Sequence, residues 1–329
     1  MNVLYAGSHY PKLSESYMAA EIRYASSVGV NVAVWSPEPG APGAPELVPV
    51  YRGSLKDAMK AFRPDVVHAY YAFGMTWPPA LEPAFRAGIP VTVRGHRFPN
   101  ELEGALALAR HPGVARVWMF PQFAELCSHE KIRPLPVAFD STRFKPASYK
   151  NTRLVVRTAA GKPNKGLRDF IEIARRRPEF TFKLVVDRSG YDSYFAELER
   201  EAKGVVEFLY SIPDEAAAAL VSRAGIYLGT ADLQAGSPFG MPISFAEAMA
   251  TGSLVLVREV PYVDEFLGLG GFGYTSIDEA AEDLRATLSW DGNDWRQWAD
   301  KAITRAHAFK DSTVLPEVIR EWEILSIVK

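Results

Sequence analysis

The strongest constraint on what this chain can fold into is an alternation that runs through it twice. Short apolar runs rich in Val, Leu and aromatic residues are separated by stretches with helical spacing. Asn2–Ala6 (NVLYA) reads as a strand, and the segment from the cap residue Ser14 to Gly29 carries Met18, Ile22 and Ala25 on one helical face. Asn31–Trp35 is the next strand, followed by a Pro- and Gly-rich excursion to Pro49. Helices are predicted near Leu55–Phe62, Pro79–Ala87 and Leu102–Arg110. The apolar runs DVVHAY, IPVTVRG, VARVWMF and KIRPLPV between or after them read as strands. Strand–helix–strand from the outset means a parallel α/β sheet, and runs this apolar mean strands buried on both faces.

The polar piece AFDSTRFKPASYKN, with Pro146, interrupts the pattern, which then restarts with TRLVVR. A helix bearing Leu167, Phe170, Ile171 and Ala174 on one face follows, and the alternation runs on to GIYLG; beyond the segment at Gly252 the remainder reads as helical. A chain of 329 residues is too long for one ordinary core. Two doubly wound domains are therefore expected, residues 1–146 and 147–311, with a last helix over about 312–329 returning to the first. In such sheets ligands bind outside the carboxyl ends of the strands, which predicts a cleft between the two domains.

Four loops at strand ends are candidates for chemistry. In the first, AGSHYP, Gly7 and Ser8 could approach a phosphate at a helix start, and an ordinary turn explains them as well. In the second, RGHRFPN, His96 sits at the end of a strand; His68, within DVVHAY, suits packing or positioning better. In the third, RTAAGKPNKG, the cations Arg157, Lys162 and Lys165 converge on a helix start and suit a pyrophosphate. The fourth, GTADLQAGSPFGMPISFAEAMATG, combines small turn residues with a helix whose one acid, Glu247, is costly to bury unless hydrogen-bond donors such as a vicinal diol meet it.

Other classes lose support. The 37 basic and 39 acidic residues show no basic run, so nucleic acid is not an expected partner. Cys127 is the lone cysteine, which fits a reducing, cytoplasmic setting and leaves no disulfide or CxxC site. There is no GxGxxG, GxSxG, HExxH or Walker lysine motif, and no Asp-x-Asp pair for a divalent metal. Phosphate handling by Arg and Lys without metal remains.

On the segments PKLSESYMAAEI, GIPVTVRGH, LPVAFDSTRFKP, KGLRDFIEIA and PFGMPISFAEAMATGSLVLV, most of the chain resembles the family-four (group 1) retaining glycosyltransferases. The resemblance implies the GT-B fold, two facing Rossmann-like domains with an interdomain cleft. It implies a metal-independent, hexosyltransferase-type enzyme of glycan biosynthesis that moves a sugar from a nucleoside diphosphate sugar to an acceptor hydroxyl with retention. The donor is then a co-substrate and no cofactor is needed. The acceptor would be a saccharide, a lipid-linked compound or a small molecule, the lipid-linked case bringing peripheral membrane contact.

By the same resemblance, Lys165 and Arg157 hold the diphosphate, with Lys162 competing for the arginine's role. Glu247 accepts the ribose hydroxyls, and the backbone of FLYSIPDE, around Tyr210 and Ile212, lies against the base. His96 faces the donor sugar, and Gly7 with Ser8 approaches the phosphates. The chain departs from the family where a second glutamate usually precedes the ribose acid: the count falls on Phe239, or on Ser237 with an insertion, and Ser237–Gly240 holds no carboxylate. Sugar contact then falls to Ser237, Phe239, Gly240 or their backbone. That departure motivates a second reading, a nucleotide-sugar-binding subunit without turnover. A sugar-nucleotide epimerase is a third, for which no acid–base carboxylate pair is evident.

Overall fold

The computed structural model describes residues 1–11, 16–41, 44–70, 77–95, 101–187, 191–231, 242–260 and 262–327, without the side chains of residues 77, 78 and 101. The chain forms two compact units. Met1–Ala138 and Asp311–Lys329 build the first, and Phe139–Gly236 with Met241–Lys310 the second. The passage at Ala138–Phe139 is fixed by backbone pairing, since Phe139 N donates to Phe309 O at 3.0 Å.

The first unit holds strands β1 (Asn2–Ala6), β2 (Asn31–Trp35), β3 (Val50–Tyr51), β4 (Val66–Tyr70), β5 (Val91–Arg94), β6 (Val114–Met119) and β7 (Ile132–Pro134). Between and after them run helices α1 (Ser16–Ser27), α2 (Leu55–Phe62), α3 (Trp77–Arg86), α4 (Glu101–Arg110) and α5 (Pro121–Ala124). The second unit holds β8 (Asn151–Ala160), β9 (Thr181–Asp187), β10 (Val206–Tyr210), β11 (Ala224–Gly229), β12 (Leu254–Arg258) and β13 (Gly271–Tyr274). Its helices are α6 (Leu167–Arg176), α7 (Asp192–Glu201), α8 (Asp214–Arg223), α9 (Ile243–Ala250), α10 (Val263–Leu267), α11 (Ile277–Ala286) and α12 (Gly292–Ala306). The short α13 (Asp311–Val314) and the final α14 (Pro316–Ile327) belong to the first unit.

Both sheets are parallel and doubly wound. The seven-stranded sheet runs β3-β2-β1-β4-β5-β6-β7 and the six-stranded sheet β10-β9-β8-β11-β12-β13. The order reverses between β1 and β4 in one and between β8 and β11 in the other, and those reversals are where such sheets open a crevice at their carboxyl ends.

The helical stripes are buried where their spacing puts them: Met18, Ile22 and Ala25 on α1, and Leu167, Phe170, Ile171 and Ala174 on α6. Helix α14 joins the first unit's core through Val318, Ile319 and Trp322. Helix α9 differs, because every residue from Phe245 to Ala250 is buried, so it is packed on all sides. Gly229, ending β11, makes that close packing possible: a Cβ there would stand 2.8 Å from Phe245.

Two strands lie outside the sequence expectation. Two-residue β3 closes the Pro-rich excursion and has no periodicity to read. Strand β13 (GFGY) falls in a stretch whose glycines argue against β structure. Its Gly271 is a packing requirement, since a Cβ would come within 2.6 Å of Val255 O on the neighbouring strand. Among the described residues no helix is long and apolar enough to cross a membrane.

Candidate functional site

The second sheet's reversal is flanked by the loop after β8 and the loop between β11 and α9. Strand β8 ends at Ala160, and Gly161 turns the chain against its neighbours, where a Cβ would collide with Asp187 O and the Phe195 ring. Gly161 is thus needed for packing inside the protein. A single 3-10 turn, Pro163–Lys165, leads to Gly166 in the left-handed region (φ 61°), and α6 begins with no side-chain cap. An uncapped helix start leaves backbone N–H groups and a positive dipole end for a partner.

Arg157 lies on β8, only 3% exposed. Its guanidinium donates to Lys165 O and, at 3.4 Å, to Gly166 O. Thr230, the first residue after β11, donates its hydroxyl to the same Gly166 O at 2.6 Å. Burial pushes the Arg157 guanidinium down, and the nearby Tyr227, Tyr274 and Asp169 oppose that push. Asp169 is itself paired with Arg258. Among the described residues no carboxylate lies within ion-pair distance of Arg157, so a buried cation sits beneath the loop without a bonded counter-charge.

The remaining sequence-predicted residues fall as follows. Lys165 is half-buried within the loop and partnered, whereas Lys162 is exposed at its start. Glu247 is 6% exposed in the middle of α9 and does not stand unpartnered. Tyr210, at the end of edge strand β10, donates its hydroxyl to Glu199 Oε1 at 2.6 Å. Ser211 follows in the left-handed region (φ 45°), turning Ile212 into the next loop half-buried. Residues Arg157, Lys165 and Thr230 therefore meet at one loop, with Glu247 on the helix that follows β11. Lys162 joins that meeting point only through its backbone, its carbonyl accepting from Lys165 N at 3.0 Å, and the Tyr210 side chain is committed to α7. His96, Ser237, Phe239 and Gly240 lie outside the described residues.

In the first unit, Gly7 is buried just past β1, with its N–H donating to Trp35 O at 3.0 Å. Its φ is not positive, and a Cβ would meet only Met18 Cε at 3.6 Å, an ordinary contact. Nothing in the described protein requires glycine there. Ser8 O accepts from Glu38 N and from the Ser36 hydroxyl, and its own hydroxyl lies 3.1 Å from His9 Nδ1.

A second polar cluster, not singled out by sequence reading, lies beside the first sheet's reversal. Tyr5 on β1, His68 on β4 and Thr92 on β5 are in register across three adjacent strands, and α1 and α14 cover that face. Glu21 of α1, 3% exposed, accepts from Tyr5 OH at 3.2 Å and from Tyr70 OH at 2.5 Å. His68 Nε2 approaches its Oε1 at 3.0 Å, close enough for charge but off the line of a good hydrogen bond. On the other side His68 Nδ1 lies 2.7 Å from Thr92 Oγ1, which also receives the indole N–H of Trp322 at 3.1 Å. Trp322 can only donate, which leaves the Thr92 hydroxyl able to donate to Nδ1, the arrangement in which an N–H on Nε2 faces Glu21.

Burial pushes the Glu21 carboxyl up, but His68, Arg94 and the Tyr70 hydroxyl together hold it below its ordinary range. Arg94, 2% exposed at the end of β5, donates to Pro136 O at 2.7 Å. Among the described residues its Nε and one terminal nitrogen have no hydrogen-bond partner, leaving the Glu21 charge as its main compensation. One sequence signal marks the cluster: Glu21 occupies the face defined by Met18, Ile22 and Ala25, where an acid must be buried.

No family model matches the sequence, and no curated protein matches it. Solved structures do match over the whole chain. HepE of Anabaena, in complex with UDP and glucose, has a TM-score of 0.76 at 17% identity, covering 98% of this chain and 100% of that one. Sucrose-phosphate synthase from Thermosynechococcus elongatus has a TM-score of 0.73 at 13% identity over 100% of both chains. AviGT4, a glycosyltransferase involved in avilamycin A biosynthesis, has a TM-score of 0.68 at 17% identity, covering 100% of this chain and 99% of that one. The fold is therefore the GT-B fold of these glycosyltransferases.

Proposed function

We propose that this chain is a glycosyltransferase that takes a sugar from a nucleoside diphosphate sugar and passes it to an acceptor hydroxyl with retention and without metal. The observation that carries the reading is the loop at the reversal of the second sheet, with an uncapped helix start, Lys165 within it and Arg157, which has no carboxylate at ion-pair distance among the described residues, beneath it. A diphosphate brings negative charge to this positive site, and its departure in the transition state is where fixed cations and amides lower a barrier most. HepE was solved with UDP and with UDP-glucose, which favours a uridine donor for this chain as well.

In this reading Lys165 and the first N–H groups of α6 hold the diphosphate as the glycosidic C–O bond breaks. The acceptor oxygen attacks the same face of the sugar, its proton passing to the departing phosphate oxygen. No protein nucleophile enters. Glu247, buried on α9, is assigned to the ribose hydroxyls on the resemblance of its segment. His96 and residues Ser237–Gly240 are assigned to the sugar.

The test is a thermal-shift panel of nucleoside diphosphates and their sugars, followed by calorimetry on wild type and Glu247→Ala. Uridine diphosphate is expected to raise the melting temperature by mass action and to bind more weakly to the variant. A panel with no stabilising nucleotide refutes the reading, and equal affinity in Glu247→Ala refutes the ribose assignment. Mass-spectrometric product analysis separates transfer from the second reading, donor binding without turnover, which the carboxylate-free Ser237–Gly240 motivates.

A further inference from the structure

The resemblance gives Arg157 the diphosphate as its ligand, but the guanidinium is spent elsewhere. Two of its N–H groups go to consecutive backbone carbonyls, Lys165 O and Gly166 O, on the loop above it. Thr230 reaches Gly166 O from β11, across the sheet reversal. The loop is thereby tied to both strands that flank the reversal. Gly166 needs such a tie: its left-handed backbone is adjacent to the helix start, and no side chain caps α6. The hydroxyls of two further residues complete the floor, Tyr274 OH donating to Gly229 O at 3.0 Å and Tyr227 OH to Thr158 O at 3.0 Å.

We propose that Arg157 is a positioning residue, clamping the carbonyls of Lys165 and Gly166 so that Lys165 and the α6 amides are preorganised for a diphosphate that Arg157 does not touch. The proposal rests on the donor-site reading above. A planar fork that donates to two neighbouring carbonyls is a task for arginine. Lysine retains the charge but cannot span both oxygens. A direct phosphate contact, by contrast, is one that a lysine largely replaces as a point charge.

The experiment is a double-mutant cycle read by the affinity for uridine diphosphate and by kcat/KM of transfer. Arg157→Lys, Lys165→Ala and their combination are compared, with uridine as a ligand that lacks the phosphates. Loss of the clamp alone is expected to weaken uridine diphosphate about tenfold or more, with uridine unaffected. In the Lys165→Ala background the same change is expected to cost several-fold less than in wild type, the remainder being its effect on the α6 amides, because residues that act through one another are not additive. Thr230→Val, which removes the other donor to Gly166 O without changing shape, is expected to show the same non-additivity and provides a second route should Arg157→Lys fold poorly. Thermal unfolding of every variant separates loss of fold from loss of positioning.

Independent, additive losses in the double variant overturn the clamp and give Arg157 the diphosphate directly. So does an Arg157→Lys enzyme with wild-type affinity. If Lys165→Ala alone leaves uridine diphosphate binding unchanged, the donor-site reading fails and the clamp with it.

Discussion

Glu21→Gln perturbs the first unit at one atom position and leaves its shape intact. The carboxylate presents two oxygens to three donors, Tyr5 OH, Tyr70 OH and His68 Nε2, the last at 3.0 Å. A glutamine offers one oxygen and one NH₂ group, so at least one donor faces another donor. Arg94 also loses the anion that compensates it, and among the described residues two of its nitrogens have no hydrogen bond to fall back on. Breaking a buried charge pair by removing one partner costs about 3–5 kcal/mol, and leaving a buried donor unsatisfied costs about 1–3 kcal/mol. These overlap here, so a loss of about 3–5 kcal/mol is expected for the first unit.

The assay is urea unfolding followed by hydrogen exchange of peptides from β4, β5, α1 and α14, which report the first unit separately from the second. The pH dependence sharpens it. Glu21 is held below its ordinary carboxylate range when folded, so its contribution is complete above the unfolded value of about 4.3 and is lost as pH falls through the folded one. Wild type should lose stability across that acid window, and Glu21→Gln should lose less of it in the first unit. A variant within about 1 kcal/mol of wild type would refute the argument that this network is charged and mutually compensated.

Three further outcomes follow from particular residues. Thr92→Val removes the oxygen shared by His68 Nδ1 and Trp322 Nε1, and should cost about 1–3 kcal/mol by orphaning a buried indole N–H; exchange in α14 should rise, and unchanged protection there would detach the helix from the network. Gly7→Ala should leave the melting temperature unchanged, because the nearest atom is 3.6 Å away, but should lower the transfer rate; an unaffected rate removes Gly7 from the donor-binding set. Lys150, with its ammonium on Ala224 O and Ser253 Oγ at 2.8 Å, has its pKa pushed by burial down to about 7. Between that value and the unfolded value of about 10.4 the unfolded chain binds the extra proton, so stability should rise with pH by up to about 1.4 kcal/mol per unit; Lys150→Met should flatten that rise in pH-dependent urea titrations.

The parts of the candidate site legible in the sequence are those with local signatures. Lys165 and Gly166 mark a helix start after a strand, and Glu247 is the one acid in an otherwise small and apolar helix. Buried partners separated by long stretches of chain were not legible. Arg157 reads from sequence as one more cation in a loop, because nothing local shows that its fork turns toward the carbonyls of Lys165 and Gly166. Arg94 and Thr92 read as ordinary strand residues, since their meaning depends on Glu21 and Trp322, which reach the same face from helices remote in the chain. Strand β13 was missed for a related reason, its glycines being dictated by the adjacent β12 backbone and not by strand propensity.

What the sequence determined by itself was the alternation: hydrophobic period and turn residues are local properties, and together they dictated two parallel, doubly wound sheets and the order of their elements. Tertiary structure alone decided which polar groups share a buried site. A buried charge is set by whatever packs against it, and the partners of Glu21, Arg94 and Arg157 are brought there by strand register and helix docking. The loop around Lys165 shows both halves at once, with its place at a strand end readable in the sequence and its carbonyls bonded by Arg157 on β8 and by Thr230 just past β11, strands that only the folded sheet makes neighbours.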